Sequence, residues 1–265
     1  VGIIAWGMTL VLVGGEIDIS PGPAVAFAGV LLALLNSRFG VPLPVSVLIV
    51  LAVGLALGLS AGAIRARWGV PTFVTTLALW SALRGSAQLT SDTLPVPIPD
   101  ATFQWWGNGS LFGVPVPAVI AALLLGIFWV VSTRLPFGRS VYAVGGNAEA
   151  ARLSGIPVAA VRTAILGITG ALSALTGVLI ASRLGSGNAG AAEGMEFDVI
   201  AAGVVGGTAL SGGRGRMVGT LLGVLFIALL ANGLVLIGVN PYVQSIVRGV
   251  VILVAVLANV VVRRD

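Results

Sequence analysis

The sequence has no histidine, no cysteine and no lysine among its 265 residues. Without imidazole or thiolate, catalytic devices built on His or Cys are excluded, and so are the usual zinc, copper, haem and iron–sulfur sites. Without cysteine there is no disulfide framework and no reading of redox compartment. Without lysine a phosphate-binding loop ending in Gly-Lys-Ser/Thr is impossible, so the chain is not itself a P-loop ATPase. No metal or other cofactor is expected. Charge is scarce too: 9% of the residues carry one, against about 25% in a soluble domain.

What is present is apolar. Hydrophobic residues make up 57% of the chain and the mean hydropathy is +1.10. The 38 glycines are near twice the usual share of about 7%, which suits close helix packing in lipid. This composition predicts an all-α fold, a polytopic transmembrane helical bundle forming one domain over 1–265. The formal charge of +5 reports orientation in a membrane protein before it reports a nucleic acid, and no nucleic-acid partner is expected.

A span needs roughly 20 apolar residues. Long apolar stretches lie near 44–64, 71–90, 114–133, 158–182, 217–236 and 243–262, with shorter ones near 1–14, 21–36 and 197–210. That predicts nine membrane segments, the short three partial or broken. If the 134–157 loop is cytoplasmic, alternation puts ten arginines inside: Arg65, Arg67, Arg134, Arg139, Arg152, Arg162, Arg214, Arg216, Arg263 and Arg264. Outside are Arg38 and Arg183, while Arg84 and Arg248 fall within spans. This is a strong positive-inside bias and it predicts a cytoplasmic C-terminus. The same parity leaves residue 1 outside, so a tenth span is expected ahead of it in an intact chain.

The most informative polar stretch is 134–157. Asn147 is a good N-cap, Glu149 sits in the first turn where a carboxylate favours the helix dipole, and Ala148, Ala150 and Ala151 propagate a helix. Arg152 lies toward its C-terminal end, Gly155 suits the C′ position and Pro157 stops it. Such a stiff two-turn knob is either a grip for another protein or an ordinary amphipathic loop helix. Residue chemistry alone leaves the two open.

Glu149-Ala150-Ala151, three residues and then Gly155 resembles the start of the EAA signature of bacterial ABC importer permeases. Ile165 stands at the expected distance, but Gly167-Ile168 replaces the family's Leu-Pro pair. That departure, with the surrounding PFGRSVYAVGGNAEAARLSGI, is similar to the branch of ribose, xylose and galactoside permeases. The resemblance extends over residues 8 to 262. It implies that Asn147, Glu149, Ala150, Ala151, Arg152 and Gly155 form the coupling helix that docks on an ATPase subunit. It further implies a bacterial inner-membrane location, a second permease chain (the same or a sister), membrane lipid, a separate ATP-binding cassette subunit and a periplasmic sugar-binding protein. The permease itself would not be an enzyme. The implied cargo is a monosaccharide, a ribose-like pentose or a hexose; specificity in that family resides largely in the binding protein, and nucleoside and branched-chain amino-acid importers have related permeases.

Three further stretches are family-like. Gly15-Glu16-Ile17-Asp18-Ile19-Ser20 resembles the Gly-x-Ile-Asp-Leu-Ser motif. Acids beside an apolar stretch are paired or near water because each costs about 2.5–3.5 kcal/mol at a helix centre. Glu16 and Asp18 are therefore candidates for the translocation path or for structural pairing, and Ser20-Pro21 reads as an N-cap with proline at N1. In 70–85, Thr75 and Thr76 offer hydroxyls to a pore or back-bond within their own helix. In 193–215, which resembles the GGTSLSGGRG stretch with Ala209 at the usual Ser, Asp198 and Thr208 are pathway candidates. About 14 residues between Asp198 and Ser211 are too few for an untilted span, and short Gly-rich segments are where transporters break helices. A salt bridge from Arg84 or Arg248 to Glu196 or Asp198 is a further expectation.

Gly185-Ser186-Gly187-Asn188-Ala189-Gly190 fits G-x-G-x-x-G but follows a span rather than a strand. Gly54, Gly58 and Gly62 are read as a packing seam. The competing classes are a stand-alone secondary transporter or channel, which calls for ionisable residues deep in spans, and an intramembrane enzyme, which lacks its usual nucleophile–base pairs here.

Overall fold

The computed structural model describes residues 1–100 and 102–261, so Arg263 and Arg264 of the charge argument lie outside the described residues. Each of the nine apolar stretches contains a helix. They are α1 (Gly2–Val13), α2 (Pro21–Ser37), α3 (Leu43–Trp68), α4 (Thr72–Ser91), α6 (Val116–Thr133), α9 (Val158–Leu184), α10 (Met195–Val205), α11 (Met217–Leu236) and α12 (Pro241–Val261). Short helices lie between them: α5 (Trp105–Asn108), α7 (Pro136–Gly146) and α8 (Ala148–Leu153). Among the described residues four helices, α3, α6, α9 and α11, are long and apolar enough to cross a membrane by length and composition. Two antiparallel pairs of two-residue strands decorate the helices: β1 (Val96–Pro97) with β4 (Ser186–Gly187), and β2 (Ser110–Leu111) with β3 (Val114–Pro115).

Helix α1 is the axis of the bundle. Its residues from Ile3 to Val13 are all buried, and it packs against α6, α7, α9, α10 and α11. An all-round apolar helix has no polar face to give to water, so it takes the centre. Trp6 is enclosed there and satisfies its indole N–H by donating to the Ala121 carbonyl on α6 at 3.1 Å. The second internal helix, α9, packs on α1, α2 and α3. Along α3, a β-carbon at Gly58 would overlap the Leu166 carbonyl of α9, so glycine lets the two backbones touch. Leu48 and Leu55 on α3, Leu123 and Ile127 on α6, and Leu222 and Leu229 on α11 point outward. In water such a surface would aggregate; in lipid it is the solvent-matched face.

Two segments are shorter than a span. Helix α10 has 11 residues, about 16 Å at 1.5 Å per residue, and the chain from 206 to 216 continues without helix. Helix α1 stops at Val13, and residues 14–20 run without helix before α2 begins. Ser20 occupies the N-cap position of α2 but makes no side-chain cap. The cap donors come from N2 and N3, and N3 here is Pro23, which has no N–H. The Ser20 hydroxyl turns back instead and donates to Asp18 Oδ1 at 2.7 Å, as does its backbone N–H at 2.8 Å.

Candidate functional site

The stretch 134–157 folds as two helices joined at Asn147. The Asn147 carbonyl oxygen Oδ1 accepts the backbone N–H groups of Glu149 and Ala150, each at 3.0 Å. This satisfies two of the orphan donors at the start of α8. At the other end the Ile156 N–H donates to the Ala151 carbonyl and the Gly155 N–H to that of Arg152, the double bond of a Schellman motif. Gly155 has φ +82°, the left-handed conformation that such a close requires of its C′ residue. Glu149 and Arg152 pair at 2.6 Å on the outer surface, each 66% exposed. The Arg152 hydrogen bond and charge hold the Glu149 carboxyl below the ordinary glutamate range. Ala151 turns inward and Leu153 stands out, 77% exposed.

Helix α7 is an addition to the elements expected from the sequence. Its signal was present: Pro136 at N1 followed by Phe137, Val141 and Val144, spaced i, i+4 and i+7 on one face. Val141 and Val144 are buried. The Tyr142 hydroxyl donates to the Gly215 carbonyl at 2.8 Å, tying the loop to the segment after α10, and partial burial pushes this phenol up. Gly213 N–H donates to the Val13 carbonyl at 2.8 Å. The loop therefore rests directly under the end of α1 and under the 206–216 segment.

At this same end lies a buried polar cluster. Glu16, 4% exposed, has Oε1 at 2.7 Å from Arg162 Nε and 3.5 Å from Arg65 Nε. Its Oε2 accepts the Thr72 hydroxyl at 2.6 Å. Arg65 ends α3, Thr72 starts α4 and Arg162 lies near the start of α9, which follows α8 directly. A buried carboxylate is tolerable when opposite charge and hydrogen bonds surround it, and this one joins three helices.

The other pathway candidates are scattered. Thr75 back-bonds to the Thr72 carbonyl at 2.9 Å. Thr76 lies beside the 14–20 segment, accepting the Ile19 N–H at 3.3 Å, and Asp18 turns to Ser20 rather than to Glu16. Asp198 sits in the first turn of α10, where Arg248 of α12 approaches it at 2.8 Å; Arg84 instead donates to the Ala189 carbonyl at 2.9 Å. Thr208 is fully buried in the segment after α10. Glu196, expected as an ion-pair partner, instead accepts the Trp80 indole N–H at 2.9 Å.

The helical bundle is consistent with a polytopic membrane permease, and similarity to known proteins shows the family. Residues 1–256 match the family described as the permease component of the branched-chain amino acid transport system. The chain belongs to this family of ABC transporter permease components, multi-pass inner-membrane proteins that are not themselves enzymes. It is 56% identical over 260 residues to the probable ABC transporter permease protein YphD of Escherichia coli (strain K12), covering 98% of this chain and 78% of that one. It is 43% identical to the ribose import permease protein RbsC of Bacillus subtilis (strain 168), over 97% of this chain and 80% of the relative. The xylose transport system permease protein XylH of Escherichia coli (strain K12) is 33% identical, over 99% and 82%. No solved structure matches.

Proposed function

We propose that this chain is the permease subunit of an ATP-driven importer that moves a monosaccharide, a ribose-like pentose or a hexose, across the bacterial inner membrane. Its similarity to ribose and xylose permeases over nearly the whole length supports the cargo class. In this reading residues 1–265 are one permease domain and 134–157 its cytoplasmic coupling loop, with the C-terminus on the same side. Two permease chains form the pore, two ATP-binding cassette subunits drive it, and a periplasmic binding protein delivers the sugar. The observation that carries the mechanism is α8: a helix closed at both ends by its own hydrogen bonds, with Glu149, Arg152 and Leu153 outermost.

ATP-driven closure of the ATPases would displace α8. Because α9 begins at Val158 and Arg162 is ion-paired to Glu16, the displacement reaches the ends of α3 and α4 through that carboxylate. The loop also bears on α1 and on the 206–216 segment through Tyr142, so outward- and inward-facing states exchange by movement of packed helices.

Mild-detergent purification of the tagged chain from native membranes, with mass spectrometry of what accompanies it, tests the assignment. The expected result is a stoichiometric partner bearing a P-loop, lost in E149R and G155P, both of which still insert. A clean oligomer without an ATPase in several detergents would instead favour a stand-alone transporter.

A further inference from the structure

At the end of the bundle that carries α8, a cavity of about 480 Å³ opens between α7, the close of α10 and the start of α11. Tyr142, Gly206, Gly207 and Gly219 line it together with Arg214 and Arg216, and no acidic side chain is among the described residues around it. Both arginines are exposed, and neither guanidinium has an ion-pair or hydrogen-bond partner among the described residues. Arg65, Arg152, Arg162 and Arg248, by contrast, each face a carboxylate. Tyr142 already spends its hydroxyl on the Gly215 carbonyl, so the two guanidinium groups are what this cavity offers to a ligand. Helix α11 then leads away from the cavity. Val218, Leu222, Leu225 and Leu229 stand exposed on it, spaced i, i+4, i+7 and i+11 as one stripe. Gly219 lines the cavity and Leu222 lies three residues on, the spacing of neighbours on a helix surface, so the stripe starts at the cavity's edge. From Val218 to Leu229 it runs about 16 Å at 1.5 Å per residue, roughly half of a hydrocarbon core of about 30 Å.

We propose that this cavity holds the headgroup of an anionic phospholipid, with Arg214 and Arg216 on its phosphate and an acyl chain along the α11 stripe. A cationic recess at the head of an apolar stripe one leaflet long matches a molecule with an anionic head and a hydrocarbon tail. The planar guanidinium fork donates paired N–H bonds to phosphate oxygens, and basic pockets between membrane helices are known seats for anionic headgroups. A zwitterionic lipid carries its own cation and gains less from two arginines. A free anion, or an acidic segment of a partner protein, would satisfy the arginines but leave the stripe unused. The site is independent of which solute the permease carries.

The test is native mass spectrometry of the purified full chain in detergent, titrated with dioleoyl phosphatidylglycerol or dioleoyl phosphatidylcholine. The wild type should retain phosphatidylglycerol in preference to phosphatidylcholine. R214Q/R216Q should weaken phosphatidylglycerol by about thirtyfold, given the usual attraction of each arginine near an anionic headgroup. R38Q/R183Q, which removes two arginines elsewhere on the chain, should leave it unchanged. Inorganic phosphate at the same concentration as the lipid should not displace it. A wild type without preference for phosphatidylglycerol, or a preference unaltered in R214Q/R216Q, overturns the site. Displacement by inorganic phosphate makes it a free-anion site and overturns the lipid. If adding the ATPase subunit expels phosphatidylglycerol, and R214Q/R216Q loses that subunit, the face belongs to the protein partner and the lipid site is again overturned. Should the double variant not fold, R214Q and R216Q singly decide: a loss of about fivefold in each upholds the site, and wild-type binding in both overturns it.

Discussion

Arg162 Nε lies 2.7 Å from Glu16 Oε1, joining the start of α9 to the segment that links α1 and α2. Arg65 approaches the same oxygen at 3.5 Å and the Thr72 hydroxyl takes the other. The carboxylate thus sits between two cations and a hydroxyl from three different helices. Removing it would strand two guanidinium groups that keep only 20% and 27% of their side-chain exposure.

Glu16→Ala should therefore destabilise the purified protein by about 3 kcal/mol, at the low end for a broken buried pair because both arginines retain some water. Glu16→Ala/Arg162→Ala should cost less than the sum of the two single changes. Unfolding followed by tryptophan fluorescence in detergent gives the cycle. Additive effects would mean that the pair is incidental to the fold.

The α3–α9 seam gives a sharper contrast. A β-carbon at Gly58 meets the Leu166 carbonyl, whereas one at Gly126 of α6 meets nothing within 4 Å. Gly58→Ala should lose about 1–3 kcal/mol to overpacking, measured as a lower thermal midpoint in detergent. Gly126→Ala should be neutral or better, since alanine is the stronger helix former by up to about 1 kcal/mol. Equal effects at the two positions would show that the seam is not close-packed.

The contrast also explains which features could be read from residues in order. The nine segments were legible because apolar length is a local property, and α8 was legible because Asn147, Glu149 and Gly155 announce its ends. The glycines of α3 were readable as a packing device, but their partner on α9 was not, since nothing in Gly58 names Leu166. Likewise Glu16 and Asp18 read alike in sequence. The fold separates them, giving Glu16 to Arg162 and Asp18 to Ser20. The Trp80–Glu196 contact joins residues 116 apart, and no local pattern points to it.

At α10 the Asp198–Arg248 pair can be tested by a charge exchange. Asp198→Arg and Arg248→Asp should each lower the yield of folded protein, by about 2–3 kcal/mol of stability, because each leaves like charges facing one another in a partly buried site. The exchanged double variant should recover a large part of it. Size-exclusion profiles and melting curves of the three variants measure this, and a double variant no better than the singles would end the idea that α10 and α12 are held by this pair.

Glu149 offers a prediction in pH. Its carboxyl is held below the ordinary range by Arg152, so the folded state favours the ionised form. A depressed carboxylate contributes its stability above the unfolded value of about 4.3 and loses it as pH falls through the lower folded value. The ends of α8 should therefore stay protected from hydrogen exchange from neutral pH down to about pH 5, with loosening confined to more acid solution. Arg152→Gln should raise the Glu149 titration toward the ordinary range and shrink the acid loosening, because the folded and unfolded values then approach one another. The pair is fully solvated, so the change in global stability should be small; the readout is exchange at residues 148–153 against pH. The Asn147→Ala variant serves as the positive control, since losing the two N–H bonds at the cap costs about 1 kcal/mol of helix stability at every pH. Loosening of α8 at neutral pH in the wild type, or an unmoved titration in Arg152→Gln, would show that Arg152 does not hold this carboxylate.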